Sequence, residues 1–484
     1  MIKKINRSNK GSALPAVLLV MLIVTALSGA AVSLVVTQTK EERYYENKLS
    51  ALHAAEAGLH QYLWYLNKEG STPIAFGRVI NYPEYNAEAA FQLTKVIDDK
   101  NQKKIQSTGW MLNDPSVTRT VTATFNKRSF TQYIYFSDND PDNIWWTNNE
   151  NCYGPYHTNT KISSIGHPNF WGKATFIEDI VFKNNRTSDF PIFHKGYQKL
   201  REPIKMPPNN SELMYYGKNG GYYYNGRTSI RLNSDGTITV WNPNKTPAKQ
   251  TLPLPENGVI YVNELPEADY DNNDNKFNPN NGNVFISGVL DGRLTVAAKH
   301  DIYITGYDPT ERVFSSSAVT NGIMYKDTTI SLNTYTGVIT YNETAGEEEG
   351  DMLGLIADYN VAVLTKGWFP TDSEIANPRG PRPSASIPSS ISDFKIYAAM
   401  LALNGSFINS EHMNNASPSP SSPSTGTLTV RGAIIQDTRG AVGYTTSGYS
   451  KNYAHDPRME FDQPPYFLAP EGSGWEITDW SELN

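Results

Sequence analysis

The chain has 484 residues, with 42 Lys and Arg against 49 Asp and Glu and a formal net charge of -7. This length allows two or more domains, and the acidic balance disfavours nucleic acid as a partner. The 35 glycines, 30 prolines and 29 tyrosines favour a β protein with many turns over a helix bundle. A single cysteine, Cys152, excludes an intrachain disulfide framework and a cysteine-based zinc cluster.

The N-terminal region joins a basic segment to a long apolar one. Four basic residues lie among the first ten, and the chain then carries no charge from Ala13 to Val36. That stretch exceeds the roughly 20 residues that cross a bilayer as a helix, so we predict a single-pass membrane protein with membrane lipid around this segment. Because basic flanks stay in the cytoplasm, the N-terminus is predicted to be cytoplasmic and the chain after Lys40 extracytoplasmic.

Three kinds of segment fit this pattern, and they differ in where the chain is cut. A secretory signal would be cut near residues 28–30, but its apolar region usually spans only about 7 to 15 residues. An uncleaved anchor would begin at Met1. A prepilin-type basic leader, residues 1–11, would be cut after Gly11, so that Ser12 becomes the first residue and the apolar helix stays on the mature protein.

The apolar pattern continues past the membrane segment as a heptad stripe. Its residues recur at spacings of 4 and 3, and only Glu56 is polar. The spacing predicts a helix from Ser12 to Leu66, closed by Gly70, with one stripe that packs on a globular domain or on a neighbouring helix. A carboxylate on an apolar stripe is costly unless paired, so Glu56 is either solvated or paired across an assembly interface. The heptad stripe consists of Tyr45, Leu49, Leu52, Glu56, Leu59, Leu63 and Leu66, and the candidate assembly-interface residues are Leu49, Leu52, Glu56, Leu59 and Leu63.

Two motifs within about residues 8–66 resemble the N-terminal region of PilX-like minor pilins. They are Gly11-Ser12-Ala13-Leu14-Pro15 and Ala54-Ala55-Glu56-Ala57-Gly58-Leu59. The resemblance implies the architecture of type IV pilins and type II secretion pseudopilins, a prepilin peptidase that cuts between Gly11 and Ser12, and other pilin or pseudopilin subunits as partners. Pilins that build a filament body usually carry Glu at the fifth mature position, where this chain has Ala16. The resemblance therefore implies a minor or accessory subunit.

Residues 71–130 are predicted to form a small pilin-like α+β region behind the helix and stem of residues 12–70. Ala89–Ile97 and Thr118–Phe125 alternate in the period of a strand. We expect them to form a small antiparallel sheet that packs on the helix, with Gly109 and Trp110 between the two strands.

Residues 131–484 are predicted to form a large β-rich extracytoplasmic domain, so the fold class is mainly β with a long N-terminal α-helix. Short apolar runs begin at Val284, Leu294 and Ile302, with turns between them. An antiparallel sandwich would use Asp291-Gly292 as a hairpin turn, whereas a β-solenoid would stack the runs as rungs with irregular loops. We prefer the solenoid, because the insertion between residues 307 and 351 suits a loop that leaves a rung.

Three further segments of this domain carry specific expectations. Phe394 to Phe407 fits either a helix or a buried rung. Residues 377–390 and 416–426 are rich in Pro, Gly and Ser and are predicted to be surface loops. Motifs such as Asp456-Pro457-Arg458 make about residues 258–468 similar to an uncharacterised domain often found behind PilX-like N-termini.

No motif of a zinc peptidase, a serine hydrolase or a phosphate-binding loop occurs in the sequence. The acidic turns at 138–142 and 269–273 depart from a calcium loop at its sixth and twelfth positions, so no metal ligand is assigned. We therefore predict a protein that is not an enzyme and needs no cofactor. The alternative is a membrane-anchored solenoid that binds or cleaves a surface glycan, for which Trp145-Trp146, Tyr215-Tyr216 and Tyr222–Tyr224 would supply aromatic contacts unless they belong to the core.

Overall fold

The computed structural model describes residues 13–68, 76–77, 79–81, 89–98, 102–148, 150–183, 186, 188–270, 278–311, 319–344, 350–364, 391–410, 424–443 and 448–483. The chain divides into two compact units. The stem unit comprises Met1–Asp98, Gln102–Asn126 and Trp475–Asn484, and the large unit comprises Asp99–Asn101 and Lys127–Gly474. The leader with Gly11 and Ser12, the loop at 377–390, and residues 416–423 lie outside the described residues.

The predicted fold class, mainly β with a long N-terminal helix, is confirmed. The helices are α1, Ala13–Asn67, and α2, Glu212–Lys218. In chain order the strands are β1 Val79–Asn81, β2 Ala89–Asp98, β3 Gln102–Met111, β4 Asp114–Lys127, β5 Tyr135–Asn139, β6 Asn151–Tyr153, β7 Tyr156–Thr158, β8 Ile162–Ser164, β9 Asn169–Phe170, β10 Ala174–Phe176, β11 Ile180–Phe182, β12 Ile192–Phe193, β13 Tyr197–Lys199, β14 Tyr222–Asn225, β15 Thr228–Leu232, β16 Thr237–Trp241, β17 Lys249–Pro253, β18 Val259–Asn263, β19 Val284–Leu290, β20 Arg293–Ala298, β21 Ile302–Thr305, β22 Gly322–Tyr325, β23 Thr328–Leu332, β24 Ile339–Glu343, β25 Met352–Ala357, β26 Val361–Leu364, β27 Asp393–Ala402, β28 Phe407–Asn409, β29 Ser424–Thr438, β30 Gly448–His455 and β31 Trp475–Leu483.

In the stem unit, α1 packs on a five-stranded sheet in the order β1, β2, β3, β4, β31. The first four strands pair antiparallel, and the predicted strands Ala89–Ile97 and Thr118–Phe125 fall in β2 and β4. The fifth strand is a correction, because the sequence analysis placed residues 475–483 in the large domain. Trp475 and Ile477 instead pack against the stem core, and their alternation along one short strand carries no signal of its distant partner.

The helix meets this sheet through small side chains. A glycine in β3, Gly109, lies so close to α1 that a Cβ atom there would overlap Ala51 O and Ala55 N. The missing side chain lets two backbones approach each other, so the alanines of the helix face are buried directly against the sheet. The buried residues of α1 are Ala51, Ala54, Ala55, Gly58, Leu59 and Tyr62, at the spacing of one helical face.

The large unit is built mainly from three parallel ladders. The first runs in the order β14, β18, β20, β25, β27, β29, β5, β7, β10, β13. The second runs β15, β19, β21, β26, β28. The third runs β19, β22, β27, β29, β30, β6, β9, β12. Parallel stacking of successive turns is the arrangement that the solenoid alternative requires, whereas a sandwich pairs its strands antiparallel.

One side of the first ladder faces the core of the large unit. Its register aligns Ile260, Val296, Leu355 and Met400 on successive strands, and all four are fully buried. The Asp291-Gly292 turn joins β19 to β20, and β20 pairs in parallel with β18 and β25. The turn therefore connects two ladders of the solenoid and is not the hairpin of a sandwich.

The rungs of the large unit do not stack in chain order. The chain passes from β5 to β13 at one end of the first ladder, returns to β14 at the other end, and advances until β29 pairs with β5. At this rung junction Ile434 aligns with Tyr135, and in the third ladder Tyr453 aligns with Cys152. Strands that lie almost 300 residues apart in sequence are thus immediate neighbours.

The return segment, residues 200–211, follows the outward side of the first ladder. Asn159 holds its start, since its Nδ2 donates to Ile204 O at 2.8 Å and its Oδ1 accepts from Ile204 N at 2.9 Å. Asn210 holds its end by donating to Ala298 O at 2.7 Å. These bonds satisfy backbone groups that a buried crossing would otherwise leave unpaired.

The observed strands decide three of the expectations for the large domain. The run that begins at Phe394 is a rung, β27, and not a helix. The insertion between residues 307 and 351 is more than a loop, because it contributes the rung strand β22 and the antiparallel hairpin of β23 and β24. The loop predicted at 416–426 ends earlier than expected, since β29 begins at Ser424. In these segments, pairing with other strands determines the structure more than the local composition does.

Candidate functional site

The apolar part of α1 has no cover from its own fold. Among the described residues, α1 is the one helix long and apolar enough to cross a membrane, and none of its most apolar 18-residue window is buried. Leu14, Leu22 and Leu27 each expose more than 60% of their surface. An apolar surface of this extent is rare on a soluble monomer and requires a bilayer or other helices around it.

Beyond the apolar segment, α1 has two distinct faces. The face that packs on the sheet is centred on the small residues around Ala55 and Gly58 and also includes Leu59 and Tyr62. The heptad stripe lies about 110° away around the helix axis, at 100° per residue. The large residues of the stripe are therefore at the flank of the intramolecular contact and not at its centre.

The candidate assembly-interface residues differ in how deeply the structure buries them. Leu59 is 1% exposed and belongs to the stem core, so it takes the first of the two predicted roles, packing on a globular domain. Leu52 and Leu63 are half-buried at the edge of that core. Leu49 is 55% exposed. The heptad stripe is thus more exposed towards the membrane end of the stem than near Leu59. Its contact with other subunits stays a prediction.

Glu56 lies in a groove between α1 and β31. The groove has a volume of about 340 Å³ and is lined by Glu56, Leu59, His60, Ile477 and Trp480. The Glu56 side chain is half-buried, and it makes no hydrogen bond or ion pair to any residue that the structure describes. Among the described residues of the stem unit, Glu56 therefore has no partner. Leu59 and Ile477 form the apolar base, and the Trp480 indole, 45% exposed, forms one wall.

One group of carboxylates in the described part of the chain has the spacing of a metal site. Asp291, Asp327 and Asp351 bring one oxygen each within 4.8 Å of one another. Lys326 Nζ lies 2.8 Å from Asp291 and 3.4 Å from Asp327, so an ammonium group already supplies a positive charge there. Asp351 accepts from Gly292 N at 2.6 Å, and burial raises its pKa. The sequence analysis missed this cluster because its members come from turns that only the stacking of rungs brings together.

Of the two acidic turns considered for calcium, the first has other partners and the second lies partly outside the described residues. Asp140 is buried and pairs with Arg439, and Asp142 pairs with Lys161. Asp138 accepts a hydrogen bond from Asn159. In the second turn, residues 271–273 lie outside the described residues.

The aromatic clusters divide between core and surface. Trp146 and Tyr224 are buried, whereas Tyr215 is 65% exposed. Burial raises the pKa of the Cys152 thiol, which keeps it protonated and poorly nucleophilic. The sequence analysis did not single out Tyr335, which is 92% exposed at the turn between β23 and β24.

Comparisons with known proteins add little to this geometry. No protein-family model matches the chain, and no match is found among curated proteins. Among solved structures, the competence-associated pilin ComZ from Thermus thermophilus matches with 12% identity and a TM-score of 0.27, covering 90% of this chain and 98% of that chain. At these values the likeness establishes neither the fold nor the function of this chain. The resemblance to PilX-like minor pilins therefore rests on sequence motifs alone and stays a prediction.

Proposed function

We propose that this protein is a pilin-like minor or accessory subunit of a type IV pilus or pseudopilus. One observation carries the proposal: α1 packs on its own sheet around small residues and leaves Tyr45 and Leu49, large residues of the heptad stripe, exposed. An anchor that worked alone would need an apolar segment but would gain nothing from the exposed Tyr45 and Leu49 beyond the membrane. A helix that packs against other helices needs both.

In the proposed mechanism, a prepilin peptidase cuts between Gly11 and Ser12 and leaves α1 intact on the mature chain. The apolar segment stays in the cell membrane, surrounded by lipid, with the leader on the cytoplasmic side. Other pilin or pseudopilin subunits then pack along the exposed part of the heptad stripe. The large unit is carried on the extracytoplasmic side, at the tip or on the surface of a filament.

The test is the N-terminal sequence of the protein in membranes, with and without the peptidase. We expect a chain that begins at Ser12 and disappears when the peptidase is absent. Gly11→Val should block this cut, and Gly29→Val is the matched control, because Gly29 has no atom within 4 Å of its Cβ position. A chain that begins at Met1 in all cases would make the protein a plain anchor. A chain that begins near Ala31 and is altered by Gly29→Val would make it a secreted protein.

A second function, binding of a surface glycan by the anchored large unit, has one specific observation in its favour. The hairpin of β23 and β24 forms an open concavity of about 670 Å³, lined by Ser, Thr and Asn side chains beside the exposed Tyr335. Aromatic faces with neighbouring hydroxyl and amide groups suit sugars. Full-length protein in detergent should then bind members of a glycan panel, and Tyr335→Ala should abolish binding while Tyr215→Ala does not. Absence of binding across the panel would remove this function.

A further inference from the structure

We propose that the groove beside Glu56 holds a lysine or arginine side chain from the helix of a neighbouring pilin-like subunit. This inference rests on the proposed function and adds a specific contact to it. The groove lies on the stem, between the turn of α1 at Glu56 and His60 and the strand residues Ile477 and Trp480. Its charge, its walls and its position along the helix each bear on what it binds.

The negative charge of Glu56 in the groove favours a cation as its ligand. Glu56 is half-buried and has no partner among the described residues, so a cation that enters the groove gains a charge-assisted contact with its carboxylate. No described lysine or arginine lines the groove. Within the stem sheet, Arg119 pairs with Glu482 and Lys103 lies over the Trp475 ring. A lysine or arginine of a neighbouring subunit is therefore the cation that we propose for Glu56.

The walls of the groove suit a long cationic side chain. Leu59 and Ile477 offer apolar surface to the methylene groups of lysine or arginine, which bury their stems while the charged end remains polar. The partly exposed Trp480 ring offers its π face to the same cation. A free metal ion would use neither the apolar base nor the indole.

The position of the groove distinguishes a protein partner from a lipid headgroup. About 30 Å of helix separates Val36 from Glu56 at 1.5 Å per residue, which places the groove well away from a membrane surface at Val36. The exposed Leu49 lies on the same side of α1 as Glu56, two turns closer to the membrane. A partner helix that covers Leu49 and runs along α1 brings its next turns to Glu56.

The experiment uses photocrosslinking in native membranes with the full-length chain. A photoreactive phenylalanine derivative replaces Trp64, an exposed aromatic residue one turn beyond His60, and a second probe replaces Leu49. We expect the Trp64 probe to crosslink to a second pilin-like subunit, and Glu56→Lys to reduce that crosslink about tenfold, because attraction becomes repulsion. The matched control is Glu46→Lys, which makes the same exchange of charge at an exposed position of the same helix, ten residues before Glu56 and outside the groove.

The outcomes separate this inference from the proposed function. A Trp64 crosslink that is equal in Glu56→Lys and Glu46→Lys, or a Leu49 crosslink without a Trp64 crosslink, overturns the groove contact and leaves the pilin-like function standing. Absence of crosslinks at both probes, together with a chain that begins at Met1, overturns both. The thermal unfolding of both lysine variants checks that neither change disturbs the stem.

Discussion

Arg439 and Asp140 form a buried ion pair across the rung junction, with Nη1 3.3 Å from Oδ2. Both side chains are almost completely buried, and the Arg439 guanidinium also lies 4.3 Å from the centre of the Trp146 ring. A second pair at the same junction joins Lys451 to Glu150 at 2.6 Å. The place where distant parts of the chain meet is thus held by opposite charges as well as by backbone pairing.

The first prediction concerns this ion pair. Arg439→Met should lower the free energy of unfolding by about 3–5 kcal/mol, because it leaves the Asp140 carboxylate buried without its cation. Equilibrium denaturation of the full-length protein measures the change. Lys249→Met is the control, since its pair with Glu311 is almost half exposed and should contribute less than about 1 kcal/mol. Equal losses in the two variants would contradict the role of the junction pair.

The second prediction concerns the close approach of α1 to β3. Gly109→Ala should destabilise the stem unit by about 1–3 kcal/mol or more, because the added Cβ atom would overlap the helix backbone at Ala51 and Ala55. Proteolysis of the stem during a thermal ramp would report the change. Gly29→Ala adds the same atom to α1 where nothing lies within 4 Å, and it should leave the stem resistant. A Gly109→Ala stem that resists proteolysis as well as the parent would contradict the close contact between α1 and β3.

The third prediction compares two leucines of the heptad stripe. Leu59→Ala should cost about 2–5 kcal/mol of stability, because the side chain is 1% exposed inside the stem core. Leu49→Ala, at 55% exposure, should change stability by less than about 0.5 kcal/mol yet weaken contact with other subunits. Chemical denaturation together with copurification of pilin-like partners separates the two effects. A Leu49→Ala protein with undiminished copurification would remove Leu49 from the assembly surface.

The fourth prediction is a loss of stability at mildly acidic pH. His157 is buried between Thr175 Oγ1 and Asn159 Oδ1, each at 2.8 Å, and burial lowers its pKa to about 4 from an ordinary value of 6.5. Below about pH 6.5 the unfolded chain therefore protonates this histidine, whereas the folded chain protonates it only near pH 4. The stabilisation is present above pH 6.5 and falls by about 3 kcal/mol as the pH drops to 4.

The variant His157→Gln tests the assignment of this pH dependence. It should be less stable than the parent at pH 7 but should lose less stability between pH 6.5 and 4, as measured by denaturation at each pH. The buried His455, whose pKa burial also lowers, contributes in the same direction and remains in the variant. A variant with the full pH dependence of the parent would assign the effect to His455 or to other groups.

Much of the fold follows from patterns that lie within one element. The extent of α1 was predictable because its heptad period continues to Leu66 with only Glu56 polar, and β2 was predictable because Ala89–Ile97 alternates. The buried face of α1 was not predicted, because a heptad of large residues is a stronger pattern than alanines and glycines. The small residues are buried because Gly109, on a different strand, allows a close approach.

Long-range pairing accounts for the features that were not predicted. Neither β31 nor the order of the rungs has a local signal, because a strand's partner is not encoded in its own alternation. The groove at Glu56 was not predicted, although Glu56 itself was a candidate residue. The carboxylate stood out from the heptad stripe, but its walls come from Ile477 and Trp480, more than 400 residues later in the chain.

The position of β31 in the stem sheet sets an order of events during synthesis and folding. Residues 475–483 are synthesised after the whole of the large unit, yet they form the edge of the sheet on which α1 rests. Trp475 N donates to Asn67 Oδ1 at 2.7 Å and so joins the last strand to the end of the helix. A chain released before residues 475–483 are made has a stem sheet without its edge strand and has no Trp480 beside Glu56. Completion of the stem therefore depends on synthesis of the chain through β31.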